Sequence, residues 1–248
     1  MVNWYIGKSV DWLMSGTKIL SKLSRFQVLV HAAALTPLAF MLLDYFRDNL
    51  TVNPIQQLTF RTGKTALVLL VCSLACTPLN TIFRFRPALK VRRALGLYAF
   101  FYASLHFFIF VGLDYAFDLD LLRGAIFEKR YALVGFAAFL LLLPLAITST
   151  KGWMKRLGRG WKRLHQLVYL AGLLVVIHYL WLVKSDIRVP LIYVALVVLL
   201  LIARISVVRR FLSNLGLPRV SLPDFLRRSA TQSRRAATHS TTTLGRLE

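Results

Sequence analysis

The chain of 248 residues is 57% hydrophobic and has a mean hydropathy of +0.60. Its apolar residues come in long blocks separated by short charged ones, which excludes an ordinary soluble domain and gives an all-α polytopic membrane protein. A formal net charge of +22 would suit nucleic acid, but the basic residues cluster at the ends of the apolar blocks, where they meet membrane lipid head groups, so no nucleic acid is expected.

Residues 1–25 mix Trp4, Tyr5, Ile6, Trp12 and Leu13 with Lys8, Lys18, Lys22 and Arg25. That mixture suits either an amphipathic helix lying in the interface or a flexible leader, and no cleavable signal peptide is evident. Six spanning helices are expected near 27–43, 65–83, 94–113, 131–149, 166–183 and 190–208, each close to the ~20 residues that a bilayer needs. Together they make one transmembrane domain over 26–210. Pro37, Pro78 and Pro144 fall inside three of them, which a membrane helix tolerates when a neighbour satisfies the freed carbonyl. Cys72 and Cys76, the only cysteines, are spaced for one helix face and are expected to pack there; they cannot form a disulfide framework or a c-type haem attachment. The tail over 211–248, rich in Ser, Thr and Arg and containing His239, reads as disordered.

Orientation follows from the basic residues. Of the 32 Lys and Arg, 23 lie in the N-terminal segment, the loops 84–93 and 151–165 and the tail, whereas the alternate loops carry 8. Those alternate loops also hold Asp44, Asp48, Asp114, Asp118, Asp120, Glu128 and Asp186. Both termini are therefore expected in the cytoplasm.

Trp161 to Lys184 places two histidines in one hydrophobic stretch behind a basic collar. Ionisable side chains inside an apolar span default to a functional role. His106 is twelve residues beyond Ala94 and His178 twelve beyond Gln166, so on parallel helices both lie about 18 Å from the cytoplasmic end. Two imidazoles at one level, among Phe100, Phe101, Tyr102, Phe107, Phe108, Phe110, Tyr179 and Trp181, suit the axial ligands of a flat haem. The competing readings are buried histidines bonded to backbone or to each other, and a proton relay in a transporter or channel. No convincing internal repeat supports the transporter. His165 sits thirteen residues before His178, level with Arg92 and Arg93. It is either an interfacial histidine or the ligand of a second, inner haem with an unusual partner such as His31, and Arg92 could contact haem propionates.

Several of these residues fall into ordered motifs. They are Arg92-Arg93-x-Leu95-Gly96-Leu97 with His106 downstream, Thr148-Ser149-Thr150, Trp161-x-x-Leu164-His165 with Val168-Tyr169-Leu170, His178-Tyr179-Leu180-Trp181 followed by Val183-Lys184, and Pro190-Leu191-Ile192-Tyr193. Over roughly 75–205 this pattern resembles the MsrQ (YedZ) family, the haem-binding membrane subunits of periplasmic protein-methionine-sulfoxide reductase systems, within the ferric-reductase-like transmembrane superfamily. The resemblance implies b-type haem (heme b), with His106 and His178 as the axial pair and His165 as a further haem-associated residue. It also implies FMN, electrons from the quinol pool or a cytosolic flavin reductase, and delivery to MsrP, a periplasmic molybdopterin-containing methionine sulfoxide reductase. Such a subunit transfers electrons in the inner membrane and is not itself the catalyst. A self-contained ferric or oxygen reductase would need a nucleotide domain, yet the chain has no Gly-x-Gly-x-x-Gly after a strand.

Overall fold

The computed structural model describes residues 24–47, 49, 51–183, 186–205 and 208, and every regular element among them is helical. Nearly all of the expected interfacial segment at 1–25 and the whole tail at 211–248 lie outside the described residues. The chain divides into two units, Met1–Leu35 with Val220–Glu248, and Thr36–Arg219. In the first, the described residues form the N-terminal part of α1 (Arg25–Phe46) and include His31.

The second unit continues with α2 (Pro54–Phe83), α3 (Arg86–Phe108), α4 (Leu119–Glu128), α5 (Arg130–Ile147), α6 (Lys151–Leu157), α7 (Arg159–Leu164), α8 (Leu167–Leu182) and α9 (Arg188–Ile202). Among the described residues five stretches are long and apolar enough to cross a membrane: Arg25–Phe46, Pro54–Phe83, Arg86–Asp114, Arg130–Ile147 and Arg159–Leu182. Where the sixth segment was expected, near 190–208, the described residues form α9, an apolar helix of 15 residues that at about 22 Å is shorter than those five. Helix α2 packs along α3, α5 along α8, and α9 against both α8 and α2.

Helix α2 starts eleven residues before the expected 65, and the local signals explain why. Pro54 occupies the first turn, where its missing N–H costs nothing, and the Asn53 side chain accepts from Gln56 N at 3.1 Å. Gln56, Gln57, Arg61 and Lys64 lower the hydropathy of this turn-rich extension but are good helix formers. Arg61 also pairs with Asp44. The expected loop at 114–130 is largely helical too. A π-helical turn over Ile109–Asp114 ends α3, two left-handed residues, Ala116 and Phe117, reverse the chain, and Asp118 Oδ1 accepts from Asp120 N and Leu121 N to start α4. The basic loop at 151–165 forms α6 and α7, broken at Gly158, whose φ of +49° suits glycine. The two cysteines do not share a packed face: Cys76 is buried with its thiol against the Cys72 carbonyl, while Cys72 is exposed.

Pro78 shows how a proline inside a membrane helix is accommodated. Lacking an N–H, it cannot bond the Leu74 carbonyl four residues earlier. That oxygen instead accepts from Arg204 Nη2 at 2.6 Å, while Nη1 donates to the Tyr169 hydroxyl at 2.8 Å and the guanidinium lies over the Tyr169 ring. One side chain following α9 thereby ties three helices. Arg204→Met should lower stability by about 1–3 kcal/mol per stranded polar group, read as a lower thermal midpoint in detergent. In a Pro78→Ala background the restored N–H serves Leu74 and the penalty should shrink. An equal loss in both backgrounds would sever the link between Arg204 and Pro78.

Candidate functional site

The extended α2 brings Thr59 and Gly63 level with His106 of α3. The His106 Nδ1–H donates to the Thr59 carbonyl at 2.8 Å, and a Cβ on Gly63 would stand only 3.0 Å from Nδ1 and Cε1 of that ring. Helices α5 and α8 repeat the arrangement. His178 Nδ1–H donates to the Tyr131 carbonyl at 2.7 Å, and a Cβ on Gly135 would stand 2.6 Å from Nδ1 and 2.8 Å from Cε1. Because a carbonyl can only accept, both rings carry their proton on Nδ1 and present an unprotonated Nε2. Neither Nε2 has a hydrogen-bond partner among the described residues.

The two ring centroids are 6.2 Å apart with their planes at 81°. Imidazole nitrogens sit about 2.0–2.1 Å from a bound metal ion, so rings this close could hold one metal ion between them. No group of three His, Cys, Asp or Glu that could cage a metal occurs among the described residues, so a metal held by this pair would take its other ligands from a non-protein group.

Both histidines line a cavity of about 420 Å³ between α2, α3, α5 and α8. Phe60, Phe107, Phe110, Phe136 and Phe139 line it, and room comes from Gly63, Ala99, Ala103, Gly135 and Ala138. Phe107 stacks on Phe139 at 4.7 Å. Of the eight aromatics expected around the histidines, only Phe107, Phe110 and Tyr179 line it. Phe100 stacks against Phe139 at 5.8 Å, and Phe101, Phe108 and Trp181 are exposed. Tyr102 is fully buried and receives a hydrogen bond from Leu38 N. A helix turns 100° per residue, so neighbours in sequence cannot all face one cavity. Asn53, Gln56, Lys64 and Asp114 also line it. Nearby, Lys129 donates to the Tyr115 hydroxyl at 3.1 Å, and that bond pushes its amine up.

The histidine of the basic collar occupies a different place. The His165 ring lies on Trp161 at 4.0 Å, its Nε2 is 3.2 Å from Thr148 Oγ1, and Trp161 Nε1 donates to the Thr148 carbonyl. Since Thr148 Oγ1 also reaches the Pro144 carbonyl at 2.6 Å, its hydroxyl proton is taken and His165 acts as the donor. His165 Nδ1 has no partner among the described residues. The Arg92 guanidinium bears electrostatically on His165 and donates to Thr77 Oγ1 at 3.1 Å, while Ser73 Oγ donates to the Arg92 carbonyl.

Residues 62–176 match the family described as ferric reductase like transmembrane component. A protein-methionine-sulfoxide reductase heme-binding subunit MsrQ of Xanthomonas axonopodis pv. citri is 46% identical over 181 residues, covering 71% of this chain and 83% of that protein. A protein of the same name from Xanthomonas campestris pv. campestris is 47% identical over 178 residues, with 69% and 82% covered. The Rhodospirillum rubrum protein of that name is 40% identical over 200 residues, with 79% and 96% covered. No solved structure matches.

Proposed function

Because the chain belongs to the MsrQ family of protein-methionine-sulfoxide reductase heme-binding subunits, we propose that it is a membrane electron-transfer subunit in which His106 and His178 hold one b-type haem. The observation that carries this reading is the pair of unprotonated Nε2 atoms on rings 6.2 Å apart, lining a cavity walled largely by phenylalanines. When bound, haem supplies a one-electron carrier. The Thr59 and Tyr131 carbonyls hold both imidazoles in one tautomer, the two histidines would be the group's protein ligands, and the phenylalanines would cover its apolar surface. Such a centre passes electrons and does not bind substrate. A low-spin, six-coordinate spectrum of the purified protein tests the reading, and a colourless or high-spin preparation would overturn it.

In this proposal six helices span the inner membrane with both termini in the cytoplasm, supported by the 23-to-8 basic asymmetry and by α9 as the short sixth helix. Reducing equivalents come from the quinol pool or a cytosolic flavin reductase and go to a periplasmic methionine sulfoxide reductase subunit of the MsrP type. Family resemblance alone supports FMN, and no residue is assigned to it.

We also propose His165 as the ligand of a second haem at the collar, with the Arg92 guanidinium bearing on it electrostatically. His165→Ala should then lower the haem-to-protein ratio while leaving the low-spin spectrum of the His106–His178 site in place. A ratio that stays at one would restrict His165 to its structural contacts with Trp161 and Thr148.

A further inference from the structure

We infer that Thr59 with Gly63, and Tyr131 with Gly135, are two copies of one imidazole cradle, and that these four positions set the ring angle and the electron donation of the proposed axial pair. The inference rests on the haem ligation proposed above. Each histidine bonds the carbonyl 47 residues before it and lies against the glycine 43 residues before it. The two sets are offset by 72 residues throughout, so α2 with α3 and α5 with α8 repeat one device that no sequence similarity announces.

The physics of the cradle is local. Carbonyl and glycine are four residues apart, hence on one helix face, and the carbonyl has a second lone pair to offer beyond its helical bond. With no Cβ on the glycine, the flat of the ring can rest on the helix backbone and Nδ1 can reach that lone pair. The hydrogen bond pushes electron density through the ring to Nε2, making it a stronger donor that favours the oxidised metal. The cradle also fixes rotation about the ligand bond. At 81° the two ring planes are nearly perpendicular, so each imidazole donates into a different d orbital of a shared iron and the two orbitals stay close in energy. The expected signature in the ferric protein is one strongly anisotropic, large-g electron paramagnetic resonance feature in place of the three-line rhombic spectrum that parallel rings give.

The cradles also differ measurably. A methyl at Gly135 would overlap the His178 ring at 2.6 Å, against 3.0 Å for Gly63 and His106. Gly135→Ala must rotate or expel the ring, and Gly63→Ala needs only a small shift. In the full-length protein, Gly135→Ala should abolish the large-g feature, giving a rhombic or high-spin signal with a raised midpoint potential in whatever haem is retained. Gly63→Ala should shift the same quantities in the same direction by less. Gly172→Ala, whose Cβ would crowd Leu74 at 3.3 Å and touch no histidine, should leave the spectrum of each bound haem unchanged even if yield falls. If Gly135→Ala does not accumulate, Gly63→Ala and the unmodified protein carry the test. A rhombic spectrum in the unmodified protein would overturn the inference, as would an unchanged spectrum and potential in both cradle variants. Those results leave the ligation standing, because His106→Ala would still lose the low-spin signal, whereas a protein whose haem survives both histidine replacements fails at the ligation itself.

Discussion

Replacing either His106 or His178 with alanine should abolish the low-spin haem spectrum. In the proposed site each imidazole is one of two protein ligands, and the alanine leaves a gap in a cavity whose described lining offers no other histidine or cysteine. The remaining histidine would hold a five-coordinate, high-spin site at best, with much lower occupancy. Its partner carbonyl, Thr59 or Tyr131, keeps its helical bond, so the backbone loses little and the protein should still accumulate in the membrane. Imidazole added to the growth medium should partly restore the low-spin signal of each variant by refilling the gap. Normal low-spin spectra in both variants would remove the pair from the proposed site.

Electron delivery should be one-sided. The exposed basic residues in the first turns of α3, around Arg92, and along α6 and α7 mark the proposed cytoplasmic face, whereas the His106–His178 pair lies toward the opposite end of α3 and α8, near the acidic turn that carries Asp114, Asp118 and Asp120. In the proposed topology a carrier at that depth is close to a periplasmic acceptor and far from a cytosolic one. In vesicles of known sidedness holding pre-reduced protein, a periplasmic methionine sulfoxide reductase with its sulfoxide substrate should cause rapid reoxidation, followed by absorbance, only from the acidic side. Rapid reoxidation from the side of α6 and α7 alone would reverse the topology. No reoxidation from either side would remove the proposed partner.

The chain's class and the pairing of its histidines were legible without coordinates because both depend on local, additive properties. Hydropathy sums along the chain, and a helix rises by a constant step, so equal residue counts from Ala94 and Gln166 put His106 and His178 at one level. The sequence also marked Trp161, His165 and Arg92 as the contents of the basic collar. It could not show that His165 and Trp161 would both bond Thr148, since that depends on how α7 turns back over the end of α5. The helical extension of α2 was hidden because reading apolar runs finds the part of a helix that lipid touches and stops at Lys64, one residue after Gly63. What only the tertiary structure decided is what each backbone group faces across the packed helices. Leu74 O needs Arg204 because Pro78 cannot serve it, and Gly63 and Gly135 matter because a ring from another helix rests where their side chains would be. A missing Cβ or a freed carbonyl has no partner within its own segment of chain, so its role is set by packing and leaves no periodic trace in the sequence.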